Sequence, residues 1–395
     1  MDPRPAPAPT QTPSAARVRH QSPVQRPSPA RLLLVGLAGA ALISGILGAL
    51  ALLGYPGPGP SGRLAAAHGI LMPLGFLGTL IALERAVALD RPWGYAGPIA
   101  SGLAGIALVA GLPAVVVTSL LLAAALVYVA VYAALLGKDP AVHTQVQAAG
   151  GGFLLLATLV LHTGHAVADA VPAVAAFLIL TVAGERLELA RLVVLTRAKR
   201  LLFLAATAPL GLGVVLALAW PDLGLRLAGV GLLALAAWFA RFDIATRTIR
   251  LPGVTRFIAA CLLAGYAWLA IGGVAWIAGG GAPGALLRDA MLHALFLGFV
   301  ISMVFGHAPV ILPAVLKVPL PWRPWFYVHL ALLHAGLAVR VGGDLAGSTA
   351  AWQTGGVITV TAVLLFVVAS AGSAIAELLA QRRLLRARAA AAARR

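Results

Sequence analysis

Cysteine occurs once, at Cys261 within an apolar stretch, which excludes an internal disulfide and any thiolate metal cluster. Charge is scarce as well: 10% of the 395 residues are Asp, Glu, Lys or Arg, against 61% hydrophobic. A soluble domain of that composition could not cover itself with polar surface. The signatures of several chemistries are missing. No Gly-rich phosphate loop follows a strand, no H-E-x-x-H pair occurs, no C-x-x-C-H attaches a haem covalently, and no nucleophile triad can be assembled. Any cofactor must therefore be held non-covalently.

What the sequence has in abundance is long apolar runs, with a mean hydropathy of +0.96. Segments long enough to span a bilayer are predicted at 32–54, 64–89, 95–112, 114–137, 144–168, 171–195, 200–220, 224–248, 255–278, 287–316, 324–342 and 352–379. The expected fold is all-α: a polytopic membrane protein of twelve transmembrane helices over residues 31–380. Residues 1–30, rich in Pro, Ala, Ser and Arg, read as a disordered basic tail without the apolar core of a secretory signal. Residues 381–395 read as a second basic tail, helical and lying at the membrane surface.

Charge supports the count. The net charge of +17 would suggest nucleic acid for a soluble chain; here it reports topology, and no nucleic-acid partner is expected. With twelve spans and both termini inside, 25 of the 29 Lys and Arg fall on the cytoplasmic side, leaving Arg63, Arg226, Arg288 and Arg340 outside. That asymmetry follows the positive-inside rule and predicts a multi-pass protein of the cell inner (plasma) membrane. Spans 2, 6 and 10 carry faintly similar stretches, which suits three four-helix units in one orientation; chance likeness among Leu/Ala-rich helices is the competing reading.

The chemistry-bearing residues are histidines, eight of nine in or beside spans. The run HALFLGFVISMVFGH ends in His293 and His307, fourteen residues and about 21 Å apart along a helix. One metal ion cannot bridge that gap, so if both are functional they serve two levels of one interior. Orientation puts His68, His162, His165 and His293 near the outer side, and His143, His307, His329 and His334 deeper or inward. Taken singly, each suits a hydrogen-bonded polar residue or an interfacial anchor. As a set they suit haem iron or copper, since neutral imidazole is tolerated in lipid where something coordinates it. His162 and His165, three apart, are predicted to share one helix face. His68 and His293, at similar depth on different helices, could hold a haem edge-on between them.

The remaining polar segment is GERLELAR. Glu185, Glu188 and Arg191 lie at i, i+3 spacings, so the segment can pair its own charges, with Arg186 snorkelling to the inner surface. The functional alternative is a proton pathway through Glu185 and Glu188; Glu84-Arg85 repeats the theme in span 2. WFARFDIATRTIR reads as an interfacial anchor.

Histidines near the outer ends of spans 2 and 10 of twelve resemble subunit I of haem-copper oxidases and nitric oxide reductases. That resemblance implies His68 and His293 as ligands of a low-spin haem. The copper motifs do not carry over: span 6 has Glu185 without the expected His, span 7 has no histidine, and span 10 lacks a close His-x-His pair. HALFLGFVISMVFGH and HGILMPLGF are also similar to helices of the NnrS-type family, twelve-span haem- and copper-containing membrane proteins of nitric oxide stress and denitrification. The likeness spans residues 60–340 and is carried by short apolar motifs.

The expectations are therefore these. The chain binds haem b through His68 and His293, with Arg340 at a propionate, and copper is a further expected cofactor. His162, His165, His307 and His334 are the candidate metal ligands. The protein would serve electron transfer, sensing or binding with respiratory-chain or denitrification partners, without a complete oxidase centre. The rival reading is a proton-coupled secondary transporter using buried His and Glu. A third is a cofactor-free structural subunit.

Overall fold

A computed structural model of the chain describes residues 28–57, 59–189 and 196–394. Among these residues all regular structure is helical, with no strand. Twelve helices are long and apolar enough to cross a membrane, the number that hydropathy predicts. They are α1 (Pro29–Leu52), α2 (Ser61–Leu89), α3 (Pro92–Ala110), α4 (Ala114–Lys138), α5 (Val142–His162), α6 (Val167–Leu189), α7 (Arg197–Leu216), α8 (Pro221–Phe242), α9 (Val254–Gly279), α10 (Ala285–Leu316), α11 (Phe326–Ala346) and α12 (Thr349–Ala392). Leu33, Val115, Leu223 and Val368 are each at least 60% exposed, so large apolar side chains cover the outside as they do where lipid is the solvent.

The most enclosed helix is α6, with 72% of its apolar window buried. It places Phe177, Leu178 and Ile179 at the centre of the core, with Phe177 edge-on to Tyr128 of α4. Sequential helices pack as antiparallel pairs, most extensively α1 with α2, α11 with α12 and α5 with α6. Small residues allow that approach, as in helix pairs within membranes, where close backbone packing substitutes for a hydrophobic driving force. A methyl group on Gly355 of α12 would collide with the Arg340 amide nitrogen of α11, so these two backbones are in direct contact.

Helices α2 and α10 depart from regular geometry in the same way. Each contains an eight-residue π-helical stretch, Leu71–Gly78 in α2 and Ala294–Ile301 in α10. Each stretch begins within three residues of its histidine, His68 or His293. Pro73, which has no N–H to donate, lies inside the first stretch. Two of its carbonyls are capped by hydroxyls: Thr79 Oγ1 donates to the Gly75 oxygen at 2.7 Å and Ser101 Oγ to the Leu74 oxygen at 2.9 Å. In lipid, backbone groups freed by an irregular turn need such partners.

Several boundaries differ from those expected. Helix α5 ends at His162, followed by a turn through Gly164 at φ +86, rather than running to residue 168. Helix α8 stops at Phe242, because Asp243 turns extended, and a separate short helix, Ala245–Thr248, follows. The basic C-terminal segment is not a separate surface helix. It continues α12 without a break to Ala392, a helix of 44 residues, about 66 Å long against a hydrocarbon core of roughly 30 Å. Most of the N-terminal segment, including His20, lies outside the described residues, as does Arg191.

Candidate functional site

At one end of α2 and α10 a partly open cavity of about 140 Å³ lies between α1, α2, α6, α10, α11 and α12. Its walls are almost wholly apolar, formed by Ile46, Met72, Val174, Phe296, Leu297 and Val363 among others. Three strongly polar side chains reach it: His68, His293 and Arg340. These are the three residues singled out above for a haem, and the structure brings them to one space. A mostly apolar pocket with a few convergent polar groups has the form of a small-molecule or cofactor site.

The hydrogen bonds of the two imidazoles determine what they present. His68 Nδ1 lies 2.8 Å from the Gly45 carbonyl oxygen of α1, and His293 Nδ1 lies 2.9 Å from the Asp289 carbonyl oxygen one turn back. A carbonyl can only accept, so in each ring Nδ1 carries the proton and a neutral ring keeps its lone pair on Nε2. Anchoring one nitrogen to the backbone while the other stays free is the usual second-shell arrangement of a metal-binding histidine.

Behind His293 stands a residue that sequence reasoning missed. The Asp289 carboxylate accepts from Arg340 Nε and Nη2, both at 2.8 Å, and from Trp352 Nε1 at 3.2 Å, and it lies 3.2 Å from His293 Nδ1. One carboxylate thus ties α10 to α11 and α12 and aligns both His293 and Arg340. Its only trace in the sequence is the i, i+4 spacing of Asp289 and His293. Arg340 also stacks over the Trp352 ring at 5.4 Å. Asp344, one turn beyond Arg340, is buried with neither carboxylate oxygen partnered among the described residues.

The other candidate ligands do not converge. His162 is the last residue of α5 and His165 lies in the following turn, so the shared helix face does not exist. Both are exposed, their Nδ1 atoms 3.2 and 3.1 Å from the hydroxyls of Thr118 and Thr163. His334 has both nitrogens engaged: Nδ1 accepts from Trp268 Nε1 at 3.0 Å, and Nε2 donates to Ser302 Oγ at 3.2 Å. His307 binds the Met303 carbonyl through Nδ1 at 2.7 Å, leaving Nε2 buried and unpartnered. Among the described residues no group of three or more His, Cys, Asp or Glu side chains is placed to hold a metal ion. The expected copper finds no such cluster here.

Two members of the GERLELAR segment have partners outside it, while the expected Glu188–Arg191 pair involves a residue outside those described. Arg186 does not snorkel: it is buried and makes a bidentate pair with Asp243, at 3.0 and 2.9 Å, beyond the end of α8. Glu185 faces Arg85 of α2 at 3.4 Å, and the same Arg85 nitrogen binds Glu84. Glu188 is half exposed and lies 4.0 Å from His143.

The fold and cavity define a class: a polytopic helical protein with spans suited to a bilayer and an enclosed apolar site between them. Within that class, the chain belongs to the family described as a domain of unknown function, DUF8744, whose model matches residues 31–375. No curated protein matches it.

Proposed function

We propose that this is an integral membrane haem b-binding protein in which His68 and His293 would hold the haem. One observation carries the reading. Two imidazoles on different helices, each with Nδ1 fixed to a carbonyl, line the same apolar cavity beside an arginine. The residues fit the group. The cavity walls are apolar like a porphyrin face, and Arg340 keeps Nη1 outside its pair with Asp289 as a donor for a carboxylate. When bound, a haem supplies reversible one-electron chemistry tuned by its axial ligands and surroundings.

The chain's own residues do the rest. Gly45 and Asp289 hold the imidazoles in one tautomer and orientation. Apolar side chains from five helices line the site. Arg340, held by Asp289 through Nε and Nη2, keeps Nη1 to donate. In respiratory or nitrogen-oxide physiology the role would be electron transfer, sensing or binding, a reading that rests on the likeness of HGILMPLGF and HALFLGF to NnrS-type helices. Copper would be an additional cofactor only at a site the chain completes with another molecule. The setting would be the inner (plasma) membrane with both termini cytoplasmic, among respiratory-chain or denitrification partners.

The test is an optical spectrum of the detergent-purified protein, oxidised and reduced, with a pyridine haemochrome assay. A Soret band with sharp reduced α and β bands, lost in His68→Ala or His293→Ala, is the expected result. A colourless wild type from cells supplied with haem would end the reading. That outcome would favour the second one, proton-coupled transport, which draws on the partly buried carboxylates of α2 and α6.

A further inference from the structure

A second polar site lies at the far ends of the two helices that carry the cavity histidines. Glu84 follows His68 by sixteen residues in α2, and His307 follows His293 by fourteen in α10, so the sites are separated by roughly 20–24 Å. At this far level Arg85 Nη2 binds both Glu84 and Glu185, the latter at 3.4 Å, so two carboxylates share one guanidinium nitrogen. Beside them Arg186 is taken up by Asp243 in its bidentate pair. His307 lies within electrostatic reach of Glu84, Arg186 and Asp243. Its Nε2 lone pair is buried.

The count of charges is uneven. Three carboxylates, Glu84, Glu185 and Asp243, face two guanidiniums, Arg85 and Arg186. Asp243 has a guanidinium to itself, so the excess negative charge belongs to Glu84 and Glu185. Uncompensated charge in the low-dielectric interior of a span is costly, and two carboxylates sharing one site do not both stay ionised. The other titratable groups facing them are Tyr128 and Tyr132 of α4 and Glu188 and His143 at the mouth of α5 and α6, of which only His143 can become cationic. Around the group, Arg85 Nε, Tyr128 Oη, Tyr132 Oη and Gln147 Nε2 are buried donors with no partner among the described residues. Buried groups of that kind are completed by water, which also conducts protons.

We propose that Glu84, Glu185 and Arg85 form a one-proton exchange site, hydrated by the surrounding tyrosines and glutamine and reaching His307, at the membrane level opposite the cavity. Its ligand is a proton, held between two carboxylates and released to water at the ends of α2 and α6, where the Glu84 and Glu185 side chains are 20% and 15% exposed. Protonation turns the trio from a net anion into a neutral ion pair plus a carboxylic acid. The site does not depend on what fills the cavity.

The experiment is infrared difference spectroscopy of the full-length protein in lipid, titrated with pH in H₂O and D₂O. The expected result is a protonated-carboxyl C=O band near neutral pH that shifts in D₂O and disappears on raising pH. Glu84→Gln or Glu185→Gln should remove it, while Glu188→Gln should leave it. A wild type without any such band, or a set of carboxyl bands that survives both glutamine substitutions, would overturn the proposal. The wild-type spectrum decides the matter even where a variant fails to fold.

Discussion

Asp289 shows how much one side chain can organise. Its carboxylate joins Arg340, Trp352 and His293, so Asp289→Asn leaves the two proposed haem ligands in place but removes the charge that aligns His293 and Arg340. Losing a partner of this kind lowers metal-site affinity by about 10–100-fold. Haem retention during purification, or haem titration of apoprotein, should show that loss while the reduced spectrum keeps its bis-histidine form. His329 is the opposite case. It is fully buried among Phe257, Phe305, Phe326 and Phe366, and neither ring nitrogen has a partner among the described residues. An unpaired buried polar group costs roughly 1–3 kcal/mol, so His329→Leu, similar in volume, should raise stability by about 1 kcal/mol in a detergent thermal melt. A metal ligand would respond in the other direction, with loss of bound metal.

Among helices, the paired π-helical stretches of α2 and α10 and the glycine contacts of α11 and α12 set the cavity's shape. Such stretches often mark functional sites, and here both follow the residue that faces the cavity. Gly355 matters because the α11 backbone passes directly over it beside Arg340. A larger side chain must push the two helices apart and carry Arg340 away from Asp289. Gly355→Leu is therefore expected to destabilise the protein by several kcal/mol, as overpacked sites do at their worst, and to lower haem content in the same preparation. A variant that melts like wild type and keeps its haem would show that α11 and α12 do not position the site.

Over the whole molecule, buried ion pairs link helices that hydropathy treats as independent. Arg186 and Asp243 join α6 to the turn after α8 with both side chains buried. Breaking such a pair on one side strands a charge and costs about 3–5 kcal/mol, whereas replacing both with apolar residues is often close to neutral. Arg186→Met alone should therefore melt well below wild type, and the Arg186→Met, Asp243→Leu double variant should recover most of the loss. Failure of the second substitution to rescue would mean that Arg186 serves a purpose beyond this pair.

The sequence by itself determined the class of the protein and the number of spans. Apolar length is a local property, and a bilayer imposes one length on every crossing helix. It also singled out His68, His293 and Arg340, because polar residues inside apolar runs are conspicuous wherever they pack. Only the tertiary structure decided which of them meet. His162, His165 and His334 were as conspicuous as His68, yet a turn after His162 separates the first two and hydrogen bonds from Trp268 and to Ser302 occupy the third. Spacing along GERLELAR suggested that Glu185 pairs within the segment and that Arg186 snorkels, but the two found partners about 100 and 57 residues away, in Arg85 and Asp243. Such pairings depend on helix order and rotation, which are set by the contact of small residues between helices and leave no periodic mark in the chain.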